Sequence, residues 1–179
     1  MIAPLALAAC GGTATPPADM PPTAPETPST SSRSIEVPLA ARSDSKLSGT
    51  ATFTEVDGGV KVRVQVAGAP PGKIATHVHE KGDCSAPDAT SAGGHFNPAN
   101  LPHALPPSAE RHLGDLGNID VGADGAGSTE IVIQGASLKE GDPSSFLGRA
   151  IIVHAKEDDG GQPVGNAGGR IGCGVIAGR

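Results

Sequence analysis

The chain has 179 residues, a formal charge of −6, 37% hydrophobic and only 2% aromatic residues, and many glycines and prolines. That length allows one domain plus a tail. Mild acidity without a Lys/Arg patch excludes a nucleic-acid partner, because phosphate binding needs clustered positive charge. No apolar run reaches the roughly 20 residues of a bilayer-crossing helix.

Residues 1–10 (MIAPLALAAC) are short, apolar and rich in small side chains. Leu7-Ala8-Ala9-Cys10 resembles the lipobox of a bacterial lipoprotein signal. That resemblance implies a signal remnant over residues 1–9, cleavage before Cys10 and lipidation of its thiol. It places the protein outside the cytoplasm, in the periplasm or cell envelope, on a lipid anchor in the membrane. The other reading of Cys10 is a buried or free thiol. Residues 10–33 are dominated by Pro, Thr, Ser and Ala. Such a stretch buries too little apolar surface to offset its ordering entropy, so it is expected to be a disordered tether.

A folded domain is expected over residues 34–179. SIEVPLA and GTATFTEV alternate apolar and polar residues, as half-buried strands do. Asp57-Gly58-Gly59 reads as a tight turn. Val60, Val62, Val64 and Val66 then alternate with polar residues, which completes a hairpin. Gly68–Gly72 reads as a loop and Lys73–Glu80 as a strand. Residues 82–118 carry no convincing periodicity and many turn formers. A loop that long in a compact domain is usually functional. Strand-like runs return at Ser128–Gln134, Arg149–Ala155 and Gly172–Ile176, and no helix is expected. Several short antiparallel strands imply an all-β fold, a Greek-key β-sandwich or flattened barrel with long functional loops.

The six histidines are His77, His79, His95, His103, His112 and His154. In a strand, His77 and His79 face the same way, since side chains repeat with period two, so both can converge on one ion. Each histidine alone has a plain account: a satisfied core residue for His154, solvated turns for His95, His103, His112 and Asp115. Those accounts become hard to hold together when every histidine in the chain has to be incidental. Imidazole suits copper and zinc.

The segments GKIATHVHEKGDC, AGGHFNP, RHLGDLGN, GRAIIVHAKEDD and GNAGGRIGCGVI resemble the copper/zinc superoxide dismutase family, over about residue 35 to the C-terminus. The resemblance implies copper on His77, His79, His95 and His154, zinc on His95, His103, His112 and Asp115, and His95 as the bridge between them. It makes Asp158 the carboxylate that links His77 to His103, and Arg170 a catalytic arginine that docks the substrate, superoxide anion. Lys156 could add attraction, whereas Pro163 and Val164 stand where the better-known relatives often carry a charged or hydroxyl pair. Cys84 and Cys173 match the family's intrachain disulfide, which leaves Cys10 as the odd cysteine. The implied function is disproportionation of superoxide to dioxygen and hydrogen peroxide. The alternative is a copper- and zinc-binding lipoprotein without turnover. The family contains dimers and monomers, so a homodimer is one of two states left open.

Overall fold

The structure is a computed structural model and describes residues 33–178. Residues 1–32, with the expected signal remnant, Cys10 and nearly all of the tether, lie outside the described residues.

Among the described residues eight strands form: β1 (Ser34–Ala41), β2 (Ser48–Val56), β3 (Gly59–Ala67), β4 (Gly72–His79), β5 (Asp115–Val121), β6 (Gly127–Gln134), β7 (Arg149–His154) and β8 (Arg170–Ile176). All pairings are antiparallel, in the order β1-β2-β3-β6-β5-β4-β7-β8, and β8 returns to β1 to close a barrel. The order skips at β3 to β4 and at β6 to β7, which makes the connections Greek-key. The only helical element among the described residues is one 3-10 turn, Thr90–Ala92. The expected all-β architecture is therefore present, as a closed barrel rather than an open sandwich.

The core follows from the period-two pattern. Val60, Val62, Val64 and Val66 of β3 are buried, while of the residues between them Arg63 and Gln65 are exposed and Lys61 is half-buried. They meet Ile35, Val37 and Leu39 of β1, Ala51 and Phe53 of β2, and Ile151 and Val153 of β7. Each fully buried valine or isoleucine contributes about 1.5–3 kcal/mol relative to exposure.

Two strands depart from this pattern, and both carry the site. Every residue of β4 from Ile74 to His79 is buried, as is every residue of β7 from Ala150 to His154. One face of each packs into the barrel core through Ile74, Val78, Ile151 and Val153. The other face lies beneath the long 80–114 connection. There Ala150 and Ile152 pack with Ala89, Ala92 and Cys173 as a small second core, with Cys84 against it. The Cys84–Cys173 disulfide, with an S–S distance of 2.00 Å, fastens this loop to β8.

β5 begins at Asp115, inside the region whose sequence showed no periodicity. Its buried positions Asp115, Leu116, Gly117, Ile119 and Val121 do not alternate cleanly. The cause is a register shift against β4: Thr76 pairs with Gly117 but His77 pairs with Asp115, which leaves Leu116 as an extra residue. A second shift separates Val153, paired with Gly172, from His154, paired with Arg170. Such bulges bend a strand and re-aim its side chains, and they are common beside functional sites.

Candidate metal centre

The two bulges lie where ligand-type residues emerge. His77 and His79 share the outer face of β4, and His154 ends β7 on the same side. His95 arrives from the loop, which docks onto the end of β4 through its main chain. Phe96 N–H donates to Val78 O at 2.8 Å, Val78 N–H to Gly114 O at 2.8 Å, and Gly114 N–H to Phe96 O at 2.9 Å. The approach demands glycine at position 114, since a Cβ there would sit 2.2 Å from Val78 O. His95 thereby stands beside His79 in an isolated bridge. His103 and His112 come from the same loop, and Asp115 opens β5 directly opposite His77.

The sequence-expected residues meet in two adjoining groups. Donor atoms of His77, His79, His95 and His154 all lie within 4.8 Å of one another, and so do those of His95, His103, His112 and Asp115. All seven residues are buried, and His95 belongs to both groups.

The hydrogen bonds decide which nitrogen each ring has to spare. His77 Nε2 donates to Asp158 Oδ2 at 2.8 Å, His79 Nδ1 to Gly93 O at 3.0 Å, and His154 Nδ1 to Gly168 O at 3.3 Å. The opposite nitrogens, His77 Nδ1, His79 Nε2 and His154 Nε2, are buried with no hydrogen-bond partner among the described residues. Three orphaned lone pairs in one buried place are costly unless a cation occupies the space between them. In the second group His103 Nε2 donates to Asp158 Oδ1 at 2.9 Å, and its other nitrogen, Nδ1, makes no hydrogen bond although it lies 2.9 Å from Asp115 Oδ2. Asp115 Oδ1 is 2.9 Å from His95 Nδ1 and 3.2 Å from His112 Nδ1, and those two nitrogens are 3.4 Å apart. A tetrahedron of zinc–nitrogen bonds near 2.0 Å has edges of about 3.3 Å. The three-histidine, one-carboxylate group therefore fits zinc, and the four-imidazole group without thiolate suits copper.

Burial favours the neutral ring, the form that binds metal, at His77, His79, His112 and His154. It is the largest influence on His79, His154 and His77, and pushes them down to about 2, about 3 and about 4. Burial also lowers His112. Asp115 and Asp158 behave differently. Burial acts to raise both, but hydrogen bonds from His95 to Asp115, and from His77 and His103 to Asp158, outweigh it and leave both carboxyls below their ordinary value.

Asp158 joins the two groups, with one carboxylate oxygen on a ring of each. Gly165 makes room for it: a Cβ there would lie 2.1 Å from Asp158 Oδ1, at a backbone φ of +79° that already favours glycine. Asn118 on β5 holds the main chain of Asp158 from both ends. Its Oδ1 accepts from Asp158 N–H at 2.8 Å and its Nδ2 donates to Asp158 O at 2.9 Å. Asn118 and the Gly93 carbonyl escaped the sequence reading, the second because a main-chain oxygen has no residue-type signature.

Arg170 is the first residue of β8, paired with His154 across the second bulge. Its guanidinium donates to Ala89 O and to Gly93 O, both at 2.7 Å. Gly93 O thus accepts from both His79 and Arg170, which ties the arginine to a ligand-type ring. Together with His79, His95 and His154 it lines a cleft of about 310 Å³, whose wall also includes Val164 and Asn166. Lys156 is exposed and lies along Gly168, outside this lining.

A family model described as copper/zinc superoxide dismutase (SODC) matches residues 47–176. The chain is similar to the extracellular superoxide dismutase [Cu-Zn] of Brugia pahangi, 39% identical over 141 residues that span 73% of this chain and 69% of the relative. Among solved structures it resembles a SOD-like protein from Bacillus subtilis, in a double mutant that replaces a tyrosine and a proline by histidine. That match has a TM-score of 0.71 and 37% identity, over 80% of this chain and 97% of the other. It also resembles the clock protein EA4, with a TM-score of 0.73 and 38% identity, over 83% and 96%.

Proposed function

The chain belongs to the copper/zinc superoxide dismutase family, and from that premise we propose that it turns over superoxide rather than merely binding metal. The reaction takes two superoxide anions and two protons to dioxygen and hydrogen peroxide. Copper would be held by His77, His79, His95 and His154, and zinc by His95, His103, His112 and Asp115. The observation that carries this reading is the set of four buried, unpartnered ring nitrogens beside a shared His95 and a fixed Arg170.

When bound, copper supplies one-electron exchange and zinc supplies a fixed positive charge on the shared ring. The remaining work belongs to the chain. Arg170, locked by two carbonyls, offers its guanidinium to a small anion entering the cleft. His79 and His154 are held in one tautomer by Gly93 O and Gly168 O, so their Nε2 lone pairs stay aimed. His95 directs Nδ1 to the Asp115 side, which leaves Nε2 as the ring atom able to take up and return a proton beside the cleft.

The disulfide and the extracellular relative fit a location outside the cytoplasm. We extend this to a lipid anchor at Cys10, a tether over residues 10–33 and a catalytic domain over 34–179. Mass spectrometry of the N-terminal peptide from native membranes tests the anchor: lipid on a newly terminal Cys10 supports it, and an unmodified Cys10 still joined to residues 1–9 refutes it.

The test of function is a dismutation assay on protein reconstituted with one copper and one zinc. Wild type should exceed the same amount of free copper. His154→Ala should abolish the excess, and Arg170→Ala should cut it about tenfold with metal content intact. Wild-type activity no higher than free copper would instead favour the metal-binding reading without turnover, which the SOD-like description of the Bacillus protein keeps in view.

A further inference from the structure

His103 lies in no strand, and its peptide N–H and C=O make no main-chain hydrogen bond among the described residues. One side chain serves both groups. Gln162 Oε1 accepts from the His103 N–H at 3.2 Å, and Gln162 Nε2 donates to the His103 carbonyl at 2.6 Å. A side-chain amide suits this task, because it places a neutral donor and a neutral acceptor side by side to match a peptide at any pH.

Gln162 stands four residues after Asp158 in the 155–169 connection. That connection therefore grips His103 at two points. Asp158 takes the ring at Nε2, which fixes the tautomer and leaves Nδ1 as a lone pair. Gln162 takes the main chain, which fixes where the ring starts from. A ring with its tautomer set but its backbone loose would still wander from the donors of Asp115, His95 and His112. Gln162 is itself exposed, so apolar burial does not hold it there. Its contacts reach only the group of three histidines and Asp115, because His103 does not belong to the other.

We propose that Gln162 is a positioning residue that slows the release of zinc by latching the peptide of His103, without touching the metal. The inference rests on reading that group as the zinc site. Removing a partner that orients a ligand typically costs tenfold or more in metal retention.

The experiment follows zinc and copper release into excess chelator from protein loaded with one of each, in wild type, Gln162→Met, Gln162→Glu and Gln65→Met. Methionine keeps the length without the hydrogen bonds. Glutamate keeps an acceptor but sets charge against the carbonyl of His103. Gln65 is an exposed glutamine on β3, a strand that carries none of the seven ligand-type residues. Zinc should leave Gln162→Met about tenfold faster and Gln162→Glu at least as fast, with Gln65→Met like wild type and copper release unchanged in all four. With cobalt(II) in place of zinc, the visible bands of Gln162→Met should shift while those of Gln65→Met do not. Zinc release from Gln162→Met at the wild-type rate overturns the latch. Faster release of both metals by one factor, with a lower melting temperature of the metal-free protein, overturns it as well, because that is general loosening. Wild type that retains copper and no zinc overturns the zinc assignment itself.

Discussion

Replacing Asp158 by asparagine tests the link between the two groups of ligands. The carboxylate accepts from His77 Nε2 at 2.8 Å, from His103 Nε2 at 2.9 Å and from Gly160 N–H at 2.9 Å, all through fully buried oxygens. Asparagine keeps the shape and one acceptor oxygen but turns the other oxygen into a donor. One of the two rings then meets a donor with its own N–H. It must either stay unsatisfied or move its proton to the nitrogen that faces the metal, which closes a ligand lone pair. An unsatisfied buried donor costs about 1–3 kcal/mol, and a lost charge-assisted bond is worth a similar amount. A net loss of about 3 kcal/mol in the metal-free protein corresponds to a melting temperature lower by roughly 6–12 °C for a domain of this size. Zinc affinity should fall by about 10- to 100-fold. Calorimetry of the metal-free protein and chelator competition for zinc read the two effects. A variant that melts within about 2 °C of wild type and keeps its zinc affinity would show that Asp158 does not tie the two groups together.

Acid should destabilise the metal-free protein. The folded values of about 4, 2 and 3 for His77, His79 and His154 lie below the unfolded value of 6.5, so between them the unfolded chain binds protons that the folded one refuses. Stability is then whole above about pH 6.5 and falls with decreasing pH, by about 1.4 kcal/mol per unit for each histidine; a urea midpoint that stays flat from pH 7 to 5 would contradict this. Reducing the Cys84–Cys173 bond, which spans a sequence separation of 89, should cost about 4–5 kcal/mol in chemical denaturation. It should also lower dismutation, because Ala89 and Gly93, which hold Arg170, lie in the fastened loop; unchanged stability and activity would count against both effects. Arg149 stacks 3.8 Å over Phe96, the neighbour of His95, and donates to the carbonyl of Glu80, the neighbour of His79, at 2.7 Å. Arg149→Met should therefore lower the melting temperature by the equivalent of about 1–3 kcal/mol, and Arg149→Lys should not restore it, since lysine has no planar fork to stack and bond at once.

How much was legible in the sequence depended on whether a residue announced its role by type. The four valines of β3 and the paired histidines of β4 did, because period two is written directly into the residue order. β5 did not, since the extra residue Leu116 breaks its period and the loop buries its other face. The start of β8 was hidden in the same way by the bulge that sets Arg170 against His154. The residue types that converge were visible, but not which nitrogen each ring presents. That depends on the Gly93 and Gly168 carbonyls and on Asp158, which the fold supplies. Asn118 and Gln162 read as turn and loop residues because each acts on a distant peptide, and contacts of that kind leave no spacing in the chain.

The most direct measurement is anomalous diffraction at the copper and zinc edges from crystals of the doubly loaded protein. One copper peak is expected among His77, His79, His95 and His154, one zinc peak among His95, His103, His112 and Asp115, and the ring of His95 between them. A single mixed site, or a zinc peak away from Asp115, would contradict that arrangement.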